Sequence, residues 1–164
     1  SAPLLVFVGG NACNRDRFHR RRAELQAIGR PVEAALGVAD DTLWSLYRLA
    51  RCTLFPSLNE GFGLPVAESL ASGTPVVTSD FGSMLETGAA GGALLVDPRN
   101  DHAIAAALRT MLTDELTHSR LVREAKARPS RSWEDYARET WEFMVATNPL
   151  QDRGGSRPKV QTTR

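Results

Sequence analysis

At 164 residues, with 42% hydrophobic and 24% charged residues, the chain is long enough to bury one sizeable core without disulfide or metal staples. A formal net charge of +1 offers no electrostatic grounds for nucleic acid as a partner. Two cysteines, Cys13 and Cys52, exclude a disulfide scaffold and lack the paired spacing of a zinc site, and no run approaches the roughly 20 apolar residues of a membrane span.

The expectation is a soluble protein of a reducing cytoplasm, peripheral on the inner face of the cell membrane at most, with both cysteines packed as small hydrophobes. Leu4 to Val8 reads as a buried strand that starts almost at once, which implies a neighbouring strand outside the sequence. Phe18 to Ile28 has helical period, and His19 with the arginines from Arg15 to Arg22 is read as its solvated face rather than a lipid or nucleic-acid surface. A strand at Val32 to Leu36 follows, then a helix with Leu43, Leu46, Tyr47 and Ala50 on one face. Next come a strand at Thr53 to Phe55, a helix at Val66 to Ala71, and strands at Val76 to Thr78 and Leu94 to Val96. Asn100-Asp101 caps a helix striped with Ile104, Leu108, Met111 and Leu112, and Ser132 caps a last one carrying Tyr136, Ala137, Trp141 and Met144 or Val145. Residues 1–146 thus form one expected domain, and 147–164 a polar, disordered tail. Alternating strands and helices predict an α/β fold, a Rossmann-like parallel sheet with helices on both faces and its ligand at the carboxyl ends of the strands.

The segment from Thr53 to Asp80 reads strand, loop, helix, turn, strand, and the loop is its unusual part. Gly61 and Gly63 flank Phe62 and give the backbone access to conformations other residues avoid, while Pro65 suits the first helical position. A helix start presents unpaired N–H groups and about half a positive charge, a seat for a diphosphate. Glu60 precedes this seat and Glu68 follows it in the first turn or so, and each carboxylate can accept two hydroxyl hydrogen bonds from a polyol. A diphosphate flanked by two sugars answers that description, which is a nucleotide sugar. A lone Glu68 would be only a helix-start carboxylate worth about 0.3–1 kcal/mol. A glycosidase would need its two carboxylates facing each other across about 5–9.5 Å, which a shared loop and helix start does not favour. Phe62, between two glycines, is poorly placed for core. Ser57 either touches phosphate or shapes the turn.

The run Glu60-Gly61-Phe62-Gly63-Leu64-Pro65-Val66-Ala67-Glu68, followed by Gly73-Thr74-Pro75-Val76-Val77, resembles the signature of the retaining GT-B glycosyltransferases of family four, in their carboxy-terminal donor domain. Leu36-Gly37-Val38 with the helix after it, Leu95-Val96-Asp97-Pro98, and Ser132-Trp133 extend the resemblance to about residue 146, closest to mannosyltransferase-like bacterial members that build surface polysaccharides. The resemblance implies that Glu60 holds the donor sugar and favours positive charge at the anomeric carbon, while Glu68 grips the ribose hydroxyls. It implies that the amides of Gly61, Phe62, Gly63 and Leu64 meet sugar and diphosphate, and that the backbone of Leu36, Gly37 and Val38 flanks the base. The donor is a nucleotide-diphosphate sugar such as GDP-mannose, the acceptor a glycan or lipid-linked glycan, and no metal or other cofactor is expected.

Members of the family carry an Arg and a Lys on an earlier strand and loop to neutralise the leaving diphosphate, together with an amino-terminal acceptor domain. Neither element is in this sequence, and the spacing of Arg15 to Arg22 does not reproduce the pair. The chain alone is therefore expected to bind nucleotide weakly without turnover, since stabilising the leaving group is a large catalytic term. A non-catalytic nucleotide-binding module or remnant is the alternative. Gly9-Gly10-Asn11-Ala12 lacks the three-glycine dinucleotide fingerprint, and no Walker lysine occurs. His102 and His118 are expected at the surface, and Trp133 and Trp141 in core or interdomain packing.

Overall fold

The computed structural model describes residues 2–9, 15–129 and 132–146; the expected disordered tail, Gly10 to Ala12 and Cys13 lie outside them. The chain divides into two compact units, Ser1–Arg128 and Pro129–Arg164. In the first, β1 (Leu5–Gly9), α1 (Arg15–Ala27), β2 (Val32–Leu36), α2 (Asp40–Leu49), β3 (Thr53–Phe55), α3 (Leu64–Ala71), β4 (Val76–Ser79), α4 (Gly82–Gly88), β5 (Ala93–Val96), α5 (Asp101–Thr113) and α6 (Glu115–Lys126) follow in order. The second contains α7 (Trp133–Ala146), on which no residue is buried.

Every described strand pair is parallel, as alternation predicts, with the register Leu5↔Val32, Thr53↔Val76 and Val76↔Ala93. The ladder is nevertheless split, since β1 pairs with β2 and β3–β4–β5 forms a separate sheet, rather than one continuous sheet. The physical reason is visible in the pairing. β1 uses one edge on β2 and β3 one edge on β4, and among the described residues no strand joins their other edges. Leu5, Phe7 and Val8, expected buried, are at least 40% exposed in consequence.

β4 is the centre, buried at every position. Its side chains alternate between two faces, as a strand requires. Val76 joins Val66, Leu70, Met84 and Ala125 in one cluster, while Val77 joins Val96, Met111 and Leu121 in another. Helices α3 and α4 therefore cover one face and α5 the other, with α6 contributing to both. Each such buried aliphatic contributes about 1.5–3 kcal/mol. On α3 the buried residues Val66, Ser69 and Leu70 fall at the spacing of one helix face. Gly92, just before β5, sits at φ 81°, and a Cβ there would lie 2.7 Å from Leu70 Cδ2, so only glycine admits this approach of turn to helix.

Two helices were not legible in the sequence. α4 is short and contains Gly82 and Gly88. The stripe ending at Leu112 hides a break at Asp114, which ends α5 and accepts from Thr117 N to cap α6. Asn100 caps α5 as read, accepting from Ala103 N at 3.0 Å, and Ser132 Oγ accepts from Asp135 N at 3.1 Å to cap α7. Among the described residues no helix is long and apolar enough to cross a membrane.

Candidate functional site

The site grows from the carboxyl end of β3. After Phe55 the chain turns at Pro56-Ser57, and the buried Ser79 at the end of β4 donates its hydroxyl to the Ser57 carbonyl at 2.6 Å. Ser83, at the start of α4, donates to the Glu60 carbonyl at 3.2 Å. The loop is thus tethered twice to elements behind it. Ser57 Oγ donates to Glu60 Oε1 at 3.1 Å, which aligns an exposed carboxylate at the mouth of the loop. The serine hydroxyl is turned to the glutamate and to the Asn59 carbonyl, at 3.3 Å.

Gly63 is the N-cap of α3, buried and left-handed at φ 80°. This conformation lets its carbonyl accept from Val66 N at 3.0 Å and Ala67 N at 3.3 Å while the chain reverses into the helix. Gly61 differs from the sequence reading, because its φ is not in the left-handed region and a Cβ would meet only open space. Its use is openness, not strain. Pro65 is the second helical residue, since the helix begins one residue earlier, at Leu64. No side chain caps α3, and among the described residues no hydrogen bond occupies the amides of Gly61 to Leu64. Phe62 and Leu64 are about three-fifths exposed, so neither is core. Uncapped amides and an open glycine path leave unpaired donors at the positive end of a helix, where negative charge is favoured.

Glu68 is the fifth residue of α3, past the first turn, so it is not the helix-start carboxylate of the simpler reading. It is half-buried, and its Oε2 accepts from the Tyr47 hydroxyl at 3.0 Å. Burial, then the neighbouring Glu68, push the Tyr47 phenol well above its ordinary range, so it remains a donor. Leu36, Gly37 and Val38 lie at the carboxyl end of β2, where Gly37 takes φ 61° and donates to the Gly9 carbonyl at 3.2 Å. The segment leads into α2, whose last turn supplies Tyr47. Loop, helix start, Ser57 and Glu60 therefore follow the carboxyl end of β3, Glu68 lies further along α3 beside Tyr47, and Leu36 to Val38 belong to the other sheet.

Other sequence readings fare variously. Cys52 is half-buried beside the Val77 cluster, and burial raises its thiol despite Arg51 nearby. His102 is exposed and His118 half-buried, its Nε2 meeting the Arg51 carbonyl at 2.9 Å. Trp133 and Trp141 are 82% and 65% exposed, so neither is core. The supporting residues Tyr47, Ser79 and Ser83 were missed as such. Their signal in the sequence is slight, because each of these hydroxyls meets its partner, the Glu68 carboxylate or the Ser57 and Glu60 carbonyls, across 21 or more positions of chain.

The pattern of the family described as glycosyl transferases group 1 matches residues 2–128. The chain belongs to that family. Among its relatives, the D-inositol 3-phosphate glycosyltransferase of Corynebacterium urealyticum is 31% identical over 158 residues, covering 93% of this chain and 37% of that protein. The O-antigen chain mannosyltransferase B of Escherichia coli is 39% identical over 108 residues, covering 63% of this chain and 27% of the relative. The solved sucrose-phosphate synthase of Thermosynechococcus elongatus superposes at a TM-score of 0.67 with 30% identity, over 87% of this chain and 38% of that one. This group 1 glycosyltransferase chain thus spans less than two-fifths of the length of these relatives. Its fold is the α/β arrangement of the GT-B glycosyltransferases.

Proposed function

We propose that this chain is the donor-binding part of a retaining hexosyltransferase that uses a nucleotide-diphosphate sugar such as GDP-mannose, with a glycan or lipid-linked glycan the acceptor. The observation that carries the reading is the succession after β3 of Glu60, an open glycine loop, an uncapped helix start and, one turn into that helix, Glu68. The mannosyltransferase name of one relative supports the sugar.

In this reading the diphosphate lies against the amides of Gly61, Phe62, Gly63 and Leu64, where a helix terminus stabilises negative charge as it grows on the leaving oxygen. Glu68 accepts from the two ribose hydroxyls, and the backbone of Leu36 to Val38 flanks the base. Glu60, steadied by Ser57, accepts from sugar hydroxyls and favours positive charge at the anomeric carbon. The bond from that carbon to the diphosphate oxygen breaks with its electron pair on the diphosphate. The acceptor oxygen then attacks from the same face and gives its proton to the departing phosphate, which retains configuration. No metal is required. The cations that complete leaving-group stabilisation and the acceptor site belong to parts of the protein outside this chain, so the chain alone binds nucleotide without transfer. In this reading the protein works in the cytoplasm.

Calorimetric titration with GDP, UDP and ADP tests the reading. One nucleotide binds saturably and in the presence of a chelator, and Glu68→Ala weakens it by roughly ten- to a hundredfold, the worth of hydrogen bonds to a charged group. Binding of none of the three, or equal binding by wild type and variant, overturns the donor site.

A further inference from the structure

Glu68 is one oxygen short of free. Tyr47 comes from the last turn of α2, twenty-one positions earlier, and reaches across to donate its phenol to Glu68 Oε2 at 3.0 Å. The same tyrosine is anchored by its backbone, since Thr74 Oγ1, in the turn after α3, donates to the Tyr47 carbonyl at 2.7 Å. Thr74 is itself buried, and its own carbonyl accepts from the buried Ser69 on α3 at 2.9 Å. The Trp44 ring lies 6.0 Å from the tyrosine ring, along the same helix. Tyr47 is therefore held at both ends by α3 and its following turn, while touching the one carboxylate of that helix.

A glutamate has three side-chain torsions, and part of its affinity for a diol is lost if those must be ordered at the moment of binding. A carboxylate offers about four lone-pair sites. The phenol uses one of them, on Oε2, and leaves Oε1 and the second site of Oε2 for a pair of vicinal hydroxyls.

We propose that Tyr47 is a positioning residue for Glu68, pre-ordering the carboxylate so that it distinguishes a ribose from a sugar lacking its hydroxyls. This rests on the reading of Glu68 as the ribose ligand. Tyr47 touches no substrate in the arrangement; it acts through the glutamate. The raised phenol value agrees with a donor that stays protonated across all ordinary conditions.

The test is calorimetric titration of the wild type, Tyr47→Phe, Glu68→Ala and the double variant, with whichever of GDP, UDP or ADP binds and with its 2′,3′-dideoxy counterpart. The phenylalanine keeps the ring and removes only the hydroxyl, and a thermal melt confirms that the variant is folded. The expected result is a wild-type preference for the ribonucleotide of at least tenfold. Tyr47→Phe cuts that preference several-fold with the affinity for the dideoxy compound unchanged, and has no further effect once Glu68 is alanine. Equal weakening of both ligands by Tyr47→Phe marks a merely structural tyrosine and overturns the proposal, as does an unchanged preference. A wild type that binds both ligands equally overturns the ribose reading of Glu68, and the proposal with it, so the two failures are told apart by the wild-type data.

Discussion

Each glutamate of the candidate site leans on a hydroxyl, Glu60 on Ser57 and Glu68 on Tyr47. An unsupported side chain loses rotamer freedom when it grips a ligand, so a neighbour that orders it beforehand raises affinity without touching the ligand. Ser57→Ala removes one neutral-to-charged hydrogen bond from Glu60 and nothing from the diphosphate seat. Its expected effect is confined to the sugar. Titration should show the nucleotide sugar losing affinity by roughly three- to tenfold, an energy near 1 kcal/mol, while the free nucleoside diphosphate binds as before. Gly63 makes a different demand. At φ 80° a side chain is strained whatever the space, and alanine there should lower unfolding free energy by about 1–2 kcal/mol in urea titrations. Gly61→Ala, at an ordinary φ in open space, should leave stability nearly unchanged and so serves as the control. The glycine pair, symmetrical in the sequence, has two distinct reasons for being glycine.

At the scale of elements, the site depends on how α3, α4 and α6 are tied to the central sheet. α4 matters beyond its length, since its first residues place Met84 under Gly63 and Ser83 on the loop. Two glycines within seven residues leave too weak a helical pattern to read, and the helix exists because Met84 is buried in the α3 cluster. α6 is tied by Glu124, whose Oε2 accepts from Gly92 N at 2.9 Å and whose Oε1 meets Arg120. The Gly92 amide above all, with Arg120 assisting, holds the Glu124 carboxyl below its ordinary 4.5. The sign follows directly. A carboxylate with a depressed folded value adds stability above its ordinary value, and that stability is lost as pH falls through the folded one. Urea midpoints of wild type and Glu124→Gln should therefore differ most near neutrality and converge as pH drops below about 4.5. A difference that stays constant with pH would exclude the linkage.

The whole molecule is uneven in its protection. β4 is buried along its full length, whereas β1 exposes Leu5, Phe7 and Val8 and pairs along one edge. Backbone amides open in proportion to the packing around them. Native-state hydrogen exchange should find Val76 to Ser79 opening only with global unfolding, and the β1–β2 pair exchanging orders of magnitude faster. Slow exchange throughout would mean that the two sheets unfold as one.

Local chemistry was enough to read the order of the strands and most helices, the caps at Asn100 and Ser132, and the glutamate–glycine–glutamate run, because periodicity, turn residues and a contiguous motif are written over a few neighbouring positions. Tertiary structure alone decided that the sheet is split after β2, that His118 packs under Arg51, and that Glu68 is held by Tyr47. Those outcomes depend on which distant surfaces meet. Edge pairing, burial and a hydroxyl's choice of carboxylate are properties of contacts between segments far apart in the chain, and no local pattern encodes which segment will arrive.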